Sequence, residues 1–431
     1  MLLLLSAAAL WQAGRTAQFN PTDYAAWQGD WTAVASCLDA PAVPCSGVSK
    51  FPLAYLMNAG LAGSGHVNDR SMLTTVNVVS LLLPALAFLW LQRGRGAHLI
   101  YPYLASILLS PLPLFYIASG AMELQSAVFS GLYLGAFVRL LEAGPSKPSK
   151  DTGILLFSTG LIFPLYKDTA AVLVGAACLV LLWLHRHQLR QWAGVGEGRR
   201  FLWRAAAVAA VPVALAVTLS AFYNLFRYGT PLPLGYMEEA RQTLPTLGKS
   251  AEFLAGSLLS PNGGALVFWT FPVFVALAGW RLEGWVPRRA ALIGSGLVLA
   301  ISALAFARWW APFGWDSWGN RLLLPPTFAL IVAAMISLRP RRIADQAVSQ
   351  ARVVAFGASL PVIAVSAMYI LAPYLSSAER AMPDSLWPGA ACDRMRQALP
   401  EQALAEGMAF WRGQVYYDCA RERMLHIPAP R

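Results

Sequence analysis

The 431 residues are 57% hydrophobic and 13% charged, with only five histidines in the whole chain. Soluble domains are about half apolar and about a quarter charged, so this balance excludes an ordinary globular protein. Several apolar runs reach the ~20 residues a helix needs to cross hydrocarbon. The formal charge of +11 is scattered over short loops between those runs, which fits orientation in a membrane and argues against a nucleic-acid-binding face.

Taken in order, the runs predict an all-α polytopic membrane protein with about eleven transmembrane helices. They lie near residues 1–13, 71–92, 98–116, 122–141, 152–166, 169–184, 203–222, 265–280, 290–307, 322–338 and 353–373. The first run gives a helix of only about 20 Å, short of the ~30 Å hydrocarbon core. It lacks the basic start and cleavage site of a secretory signal, which leaves open a tilted first helix or a misassigned start codon. Alternate loops then separate by charge. Arg93 and Arg95, Lys147 and Lys150, the arginines of 186–204, Arg281, Arg288 and Arg289, and Arg339, Arg341 and Arg342 fall on one side. The positive-inside rule makes that side cytoplasmic. The loop 14–70 and the tail 374–431 then face outward. Cys37 and Cys45 lie in that loop and Cys392 and Cys419 in that tail, on the oxidising side, while Cys178 sits alone in a span. The spacing permits Cys37–Cys45 and Cys392–Cys419 bridges.

The first outer loop opens with Phe19-Asn-Pro-Thr-Asp-Tyr-Ala-Ala-Trp-Gln-Gly-Asp-Trp31, placing Asp23 and Asp30 among aromatics. Asp23 suits the N-cap of a short interfacial helix, or a general base at the membrane surface. A second interfacial helix is expected near Leu53, Leu56, Met57 and Leu61, whose spacing is helical. Prolines 111 and 113 bend the chain at the outer end of the third span. Glu123 opens the fourth span as a first-turn acid favoured by the helix dipole. The tight outer turn Tyr166-Lys167-Asp168 reads as a snorkelling or phosphate-meeting lysine and an N-capping aspartate. His185 and His187 have no acid or cysteine beside them and make a poor metal site. No HExxH, paired CxxC or P-loop occurs.

Two later outer segments are dense in polar and aromatic residues. One runs from Phe222 past Arg227 and Tyr236 to Gly264, with a further interfacial helix expected over 249–259. The other, 308–326, holds four tryptophans, Asp316 and Arg321 in one turn. Aromatic faces stack sugar rings and guanidinium groups grip phosphate in a bidentate fork.

The motifs Asn224-Leu-Phe-Arg227-Tyr-Gly-Thr-Pro, Gly235-Tyr236, Leu258-Leu-Ser-Pro-Asn-Gly-Gly264 and Trp318-Gly-Asn-Arg321-Leu-Leu-Leu-Pro together resemble bacterial GT-C membrane glycosyltransferases. The similarity is to the protein mannosyltransferase and aminoarabinose transferase group, and covers roughly residues 1–373. It implies a GT-C-like transmembrane catalytic domain over 1–373, with periplasmic interfacial helices. The tail 374–431, which matches nothing in that group, is expected to form a small periplasmic domain. The resemblance further implies inverting transfer of a sugar from a polyprenyl-phosphate donor at the periplasmic face of the inner membrane. The acceptor would be a glycan, a lipid or a protein.

Against that chemistry, Asp23 is the candidate base with Asp30 as its substitute. Lys167, Arg227 and Arg321 are candidate ligands of the donor phosphate. Tyr236, Trp318, Asp316 and Glu123 would shape the path of sugar or lipid. No nucleotide-binding fold is required, because the lipid carrier replaces the nucleotide, and a divalent cation at the first-loop acids is left open. Nucleic acid is not an expected partner; membrane lipids are. A lipid-linked glycan flippase or transporter is the rival reading, but it would favour charges near the midplane and repeated halves. A polysaccharide polymerase or ligase would use the same donors.

Overall fold

The computed structural model describes residues 2–16, 36–37, 44–45, 70–117, 122–145, 149–232, 246–259, 264–308, 320–340, 417–418 and 423–424. These residues are overwhelmingly helical. Helix α1 is Leu2–Thr16, α2 Arg70–Leu91, α3 Ile100–Leu108, α4 Pro111–Tyr116, α5 Glu123–Ala143, α6 Lys150–Tyr166 and α7 Asp168–Leu184. Then come α8 Arg186–Ala193, α9 Gly196–Tyr228, α10 Leu247–Leu259, α11 Ala265–Leu282, α12 Arg289–Phe306 and α13 Leu324–Ile336. Strand β1 (Trp285–Val286) pairs antiparallel with β2 (Arg339–Pro340), tying the α11–α12 connection to the end of α13. Strands β3 (Tyr417–Asp418) and β4 (Arg423–Met424) pair within the tail.

Ten of the expected spans coincide with helices; the eleventh, 353–373, lies outside the described residues. Among the described residues, four helices are long and apolar enough to cross a membrane. They are α2, α5, α9 and α12, and a fifth span exists if α7 and α8, bent by 70°, are taken as one. The expected span 98–116 is two helices. The chain restarts as α4 after extended Ser110, with Pro111 at the first helical position, where a residue without an N–H costs least. The helix expected over 249–259 is α10.

Helix α5 is the centre of the body: 89% of its apolar window is buried, against 22% for α9. In lipid the hydrophobic effect does not draw helices together, so close packing of small residues must do it. Gly131 and Gly135, one turn apart on α5, supply the close approach. A Cβ on Gly131 would come within 2.6 Å of Val332, and one on Gly135 within 2.8 Å of Ile336, both on α13. Buried tyrosines and a tryptophan then satisfy backbone groups between helices. Tyr103 donates to the Leu81 carbonyl at 2.8 Å and Trp280 Nε1 to the Leu99 carbonyl at 2.7 Å. Tyr133 donates to the Ala209 carbonyl of α9 at 3.1 Å.

Helix α9 is longer than the apolar run 203–222. It continues through the basic stretch before it and past Phe222 to Tyr228. Arg227, expected just beyond a span, therefore sits inside the last helical turn. Gly229 ends the helix in the left-handed region (φ 71°), where a side chain would be strained.

Candidate active site

Three helix ends meet at one end of the body: the start of α5, the α6–α7 junction and the end of α9, joined by residues 320–323 before α13. Glu123 is the first residue of α5 and is 4% exposed. Arg321, also buried, donates from Nε to Glu123 Oε1 at 2.9 Å. This pair joins residues 198 positions apart, so a first-turn acid of purely local use is the wrong reading for Glu123. Its carboxylate orients a guanidinium. A buried charge is tolerated only when it is paired.

The second pair is Arg227 with Asp168. Nη2 of the arginine lies 3.7 Å from Asp168 Oδ2, and the Arg227 side chain is wholly buried. Asp168 also accepts from Ser220 Oγ at 2.7 Å and from Asn224 Nδ2 at 3.4 Å. Asn224 Oδ1 in turn accepts from Arg227 Nε at 2.9 Å. Asp168 is thus no N-cap. Lys167, in extended conformation, occupies the cap position, and Asp168 is the first helical residue with its side chain turned to α9. Tyr223 and Tyr228 lie against the guanidinium, with ring centroids 5.1 and 4.5 Å from its carbon.

Lys167 connects the two pairs. It is the single residue between α6 and α7, its ammonium acts electrostatically on Glu123, and it stands 5.7 Å from the centre of the Phe306 ring. A cavity of about 30 Å³ opens beside it, also lined by Ser126, Ser302, Phe306, Leu322 and Pro325. Ser126 is one turn beyond Glu123, and Leu322 follows Arg321. Two buried polar atoms here, Glu123 Oε2 and Asn320 Nδ2, have no hydrogen-bond partner among the described residues.

The connection between α1 and α2 reaches this end of the molecule. Cys37 and Cys45 form a disulfide, and the buried Cys45 donates its backbone N–H to the Phe226 carbonyl at 2.8 Å. Pro44 lies 3.8 Å from where a side chain on Gly229 would begin. The loop is therefore fastened beside Arg227.

Of the candidate residues, Glu123, Lys167, Arg227 and Arg321 gather here. Asp23, Asp30, Tyr236, Asp316, Trp318, Cys392 and Cys419 lie outside the described residues. Among the described residues no group of three or more His, Cys, Asp or Glu comes together as metal ligands. The divalent cation left open at Asp23 and Asp30 concerns residues outside that set. Ser220 escaped the sequence reading, whereas Asn224 and Asn320 stand in its motifs without a role of their own. Positions 220, 224 and 227 share one helical face, a signal that becomes visible once α9 is continued past Phe222.

Fold and site define a multi-pass helical membrane protein with a buried cluster of paired charges at one end of its bundle. Against solved structures, the chain is similar to ArnT from Cupriavidus metallidurans bound to undecaprenyl phosphate. That similarity is at 14% identity and a TM-score of 0.45, and covers 98% of this chain and 76% of that one. No family model matches the sequence, and no curated protein does.

Proposed function

We propose that this protein is a GT-C-like glycosyltransferase of the bacterial inner membrane. It moves a sugar, with inversion, from a polyprenyl-phosphate donor to a cell-envelope acceptor at the periplasmic face. The observation that carries the reading is the convergence of Lys167, Arg227 and Arg321 at one end of the bundle, two of them buried and each held by its own carboxylate. Fixed cations at a membrane surface suit a lipid-linked phosphate. They also suit a leaving group whose negative charge grows as the bond breaks.

In this mechanism the acceptor hydroxyl oxygen attacks the anomeric carbon as the bond from that carbon to the phosphate oxygen breaks. The electron pair leaves with the polyprenyl phosphate, which Lys167, Arg227 and Arg321 stabilise. The hydroxyl proton passes to Asp23, or to Asp30 in its place. Asp30 lies seven positions before Cys37 and Asp23 fourteen, extended reaches of about 25 Å and about 50 Å. The disulfide fastened beside Arg227 tethers the acidic loop within those distances. Glu123 and Asp168 act as positioning residues: they hold the guanidinium groups in place before substrate arrives, as preorganised electrostatic catalysis requires. Tyr236, Trp318 and Asp316 would line the sugar and lipid path, and the tail 374–431 would form a separate outer domain stapled by Cys392–Cys419.

The test is transfer of labelled sugar from polyprenyl-phosphate donors in membranes, comparing the wild type with Asp23→Ala and Asp30→Ala. A base supplies about 10²–10⁴-fold, so one of these variants should fall by that factor while still inserting and accumulating. Wild-type rates in both variants would remove the first loop from the chemistry. If the wild type neither transfers, hydrolyses nor binds any polyprenyl donor, a transporter becomes the better reading.

A further inference from the structure

The opposite end of the bundle carries a larger opening that the proposed reaction does not use. A groove of about 860 Å³ runs between α6 and α9, floored by residues of the α5–α6 connection. Its mouth holds Lys150, Arg200 and Arg204 with one acid, Glu197. All four are exposed, and among the described residues none of the three cations has an ion-pair partner.

The groove changes character with depth, and it does so on both walls together. Helices α6 and α9 both begin at this end and run the same way. On α6, Lys150, Ile154 and Phe157 follow one another at helical spacing along one face. On α9, Arg200, Arg204 and Val208 do the same. At 1.5 Å per residue, Phe157 lies about 10 Å deeper than Lys150, and Val208 about 12 Å deeper than Arg200. Ile154 and Phe157 remain 46% and 43% exposed. A cationic mouth thus leads within one headgroup's length to bare apolar walls. The mouth is preformed: Trp192 of α8 stacks edge-on against Phe201, with centroids 5.5 Å apart. Gly198 lies so close to the Trp192 backbone that a Cβ there would come within 2.2 Å of its carbonyl oxygen.

We infer that this groove is a binding site for an anionic membrane phospholipid. Its phosphate sits among Lys150, Arg200 and Arg204, and one acyl chain lies along Ile154, Phe157 and Val208. The occupant must be amphipathic, because a soluble anion would leave the apolar walls uncovered. It must also be anionic, because the lining carries three cations against one acid. Juxtamembrane cations near a charged leaflet act in this way. The site is independent of the transfer chemistry proposed above.

The experiment uses the full chain in nanodiscs of phosphatidylcholine containing a photoactivatable phosphatidylglycerol, with labelled peptides mapped after irradiation. Label is expected on 150–158 and 200–208, displaced by unlabelled phosphatidylglycerol and not by phosphatidylcholine or inorganic phosphate. The double variant Arg200→Gln/Arg204→Gln should weaken labelling about 30-fold, taking the usual contribution of each surface cation. Arg200→Lys/Arg204→Lys should keep most of it, which separates charge from folding. The matched control Arg93→Gln/Arg95→Gln, elsewhere on the same side by the charge rule, should change nothing. Displacement by inorganic phosphate, equal labelling by a phosphatidylcholine probe, or unchanged labelling in the Gln double variant would each overturn the site.

Discussion

Helix α9 carries an arginine near each end, and the two are handled in opposite ways. Arg200 stands exposed at the mouth of an open groove, without an ionic partner among the described residues. Arg227, about 40 Å further along the axis, is 2% exposed and set against Asp168, Asn224 and two tyrosine rings. The same contrast separates Arg204 from Arg321, whose guanidinium is fixed by Glu123. Exposed cations cost the fold little and are free to meet headgroups. Buried ones must be paired, and the surrounding structure over-determines where they point. Charge at one end of this bundle serves the membrane; at the other it is aimed.

That contrast breaks most visibly at Arg321. Arg321→Ala leaves Glu123 buried without its cation and should cost about 3–5 kcal/mol, read as a lowered unfolding midpoint in detergent. Glu123→Gln/Arg321→Met should recover much of the loss in stability but none in transfer. If the single variant melted like the wild type, the pair would be no more than a surface contact. Next comes the disulfide. Cys37→Ser removes a short closed loop and should destabilise the fastened segment by about 2–3 kcal/mol. The readout is faster proteolysis of 17–69 while the helical body stays intact, and unchanged proteolysis would detach the loop from the site. Asp168→Asn keeps the shape but removes the charge facing Arg227. It should cost about 1–3 kcal/mol and lower donor affinity more than it lowers the amount of folded protein. Equal donor affinity would take Asp168 out of its positioning role. The smallest effect is expected at the other end of α9: Arg200→Gln, in detergent free of anionic phospholipid, should leave the melting temperature unchanged. A clear drop there would mean that the two ends are not handled differently after all.

Much of the bundle was legible in the sequence, because a lipid-crossing helix must satisfy its backbone internally and advertise an apolar surface. The runs near α2, α5 and α12 announce themselves in this way. What periodicity could not place was the end of α9. Hydropathy fades at Phe222, yet the helix continues for six more residues because Asn224 and Arg227 have polar partners inside the protein. Asp168 misled for a related reason. An acid at the start of a helix has a sufficient local explanation in capping, and nothing nearby in the sequence points to Ser220 or Arg227, more than fifty positions away. Arg321 and Lys167 were legible as candidates, since few cations sit beside aromatics on the sparsely charged side. The dependence of Arg321 on Glu123 was not, because a pair 198 positions apart leaves no trace in spacing. Pro111 was readable as an interruption of the third span, and a new helix starts there after extended Ser110.

The central claim is that the cations gathered by Glu123 and Asp168 hold the phosphate of a lipid-linked donor. The measurement that tests it most directly is equilibrium binding of a labelled polyprenyl phosphate to the full chain, wild type against Arg321→Lys. Lysine keeps the charge but loses the planar fork, so binding should weaken about 10-fold or more, by the 1.5–3 kcal/mol typical of a charged hydrogen bond. The variant should remain folded, and Arg93→Gln/Arg95→Gln should bind as the wild type does. Wild-type affinity in Arg321→Lys would contradict the account and leave the buried pair with a structural role alone.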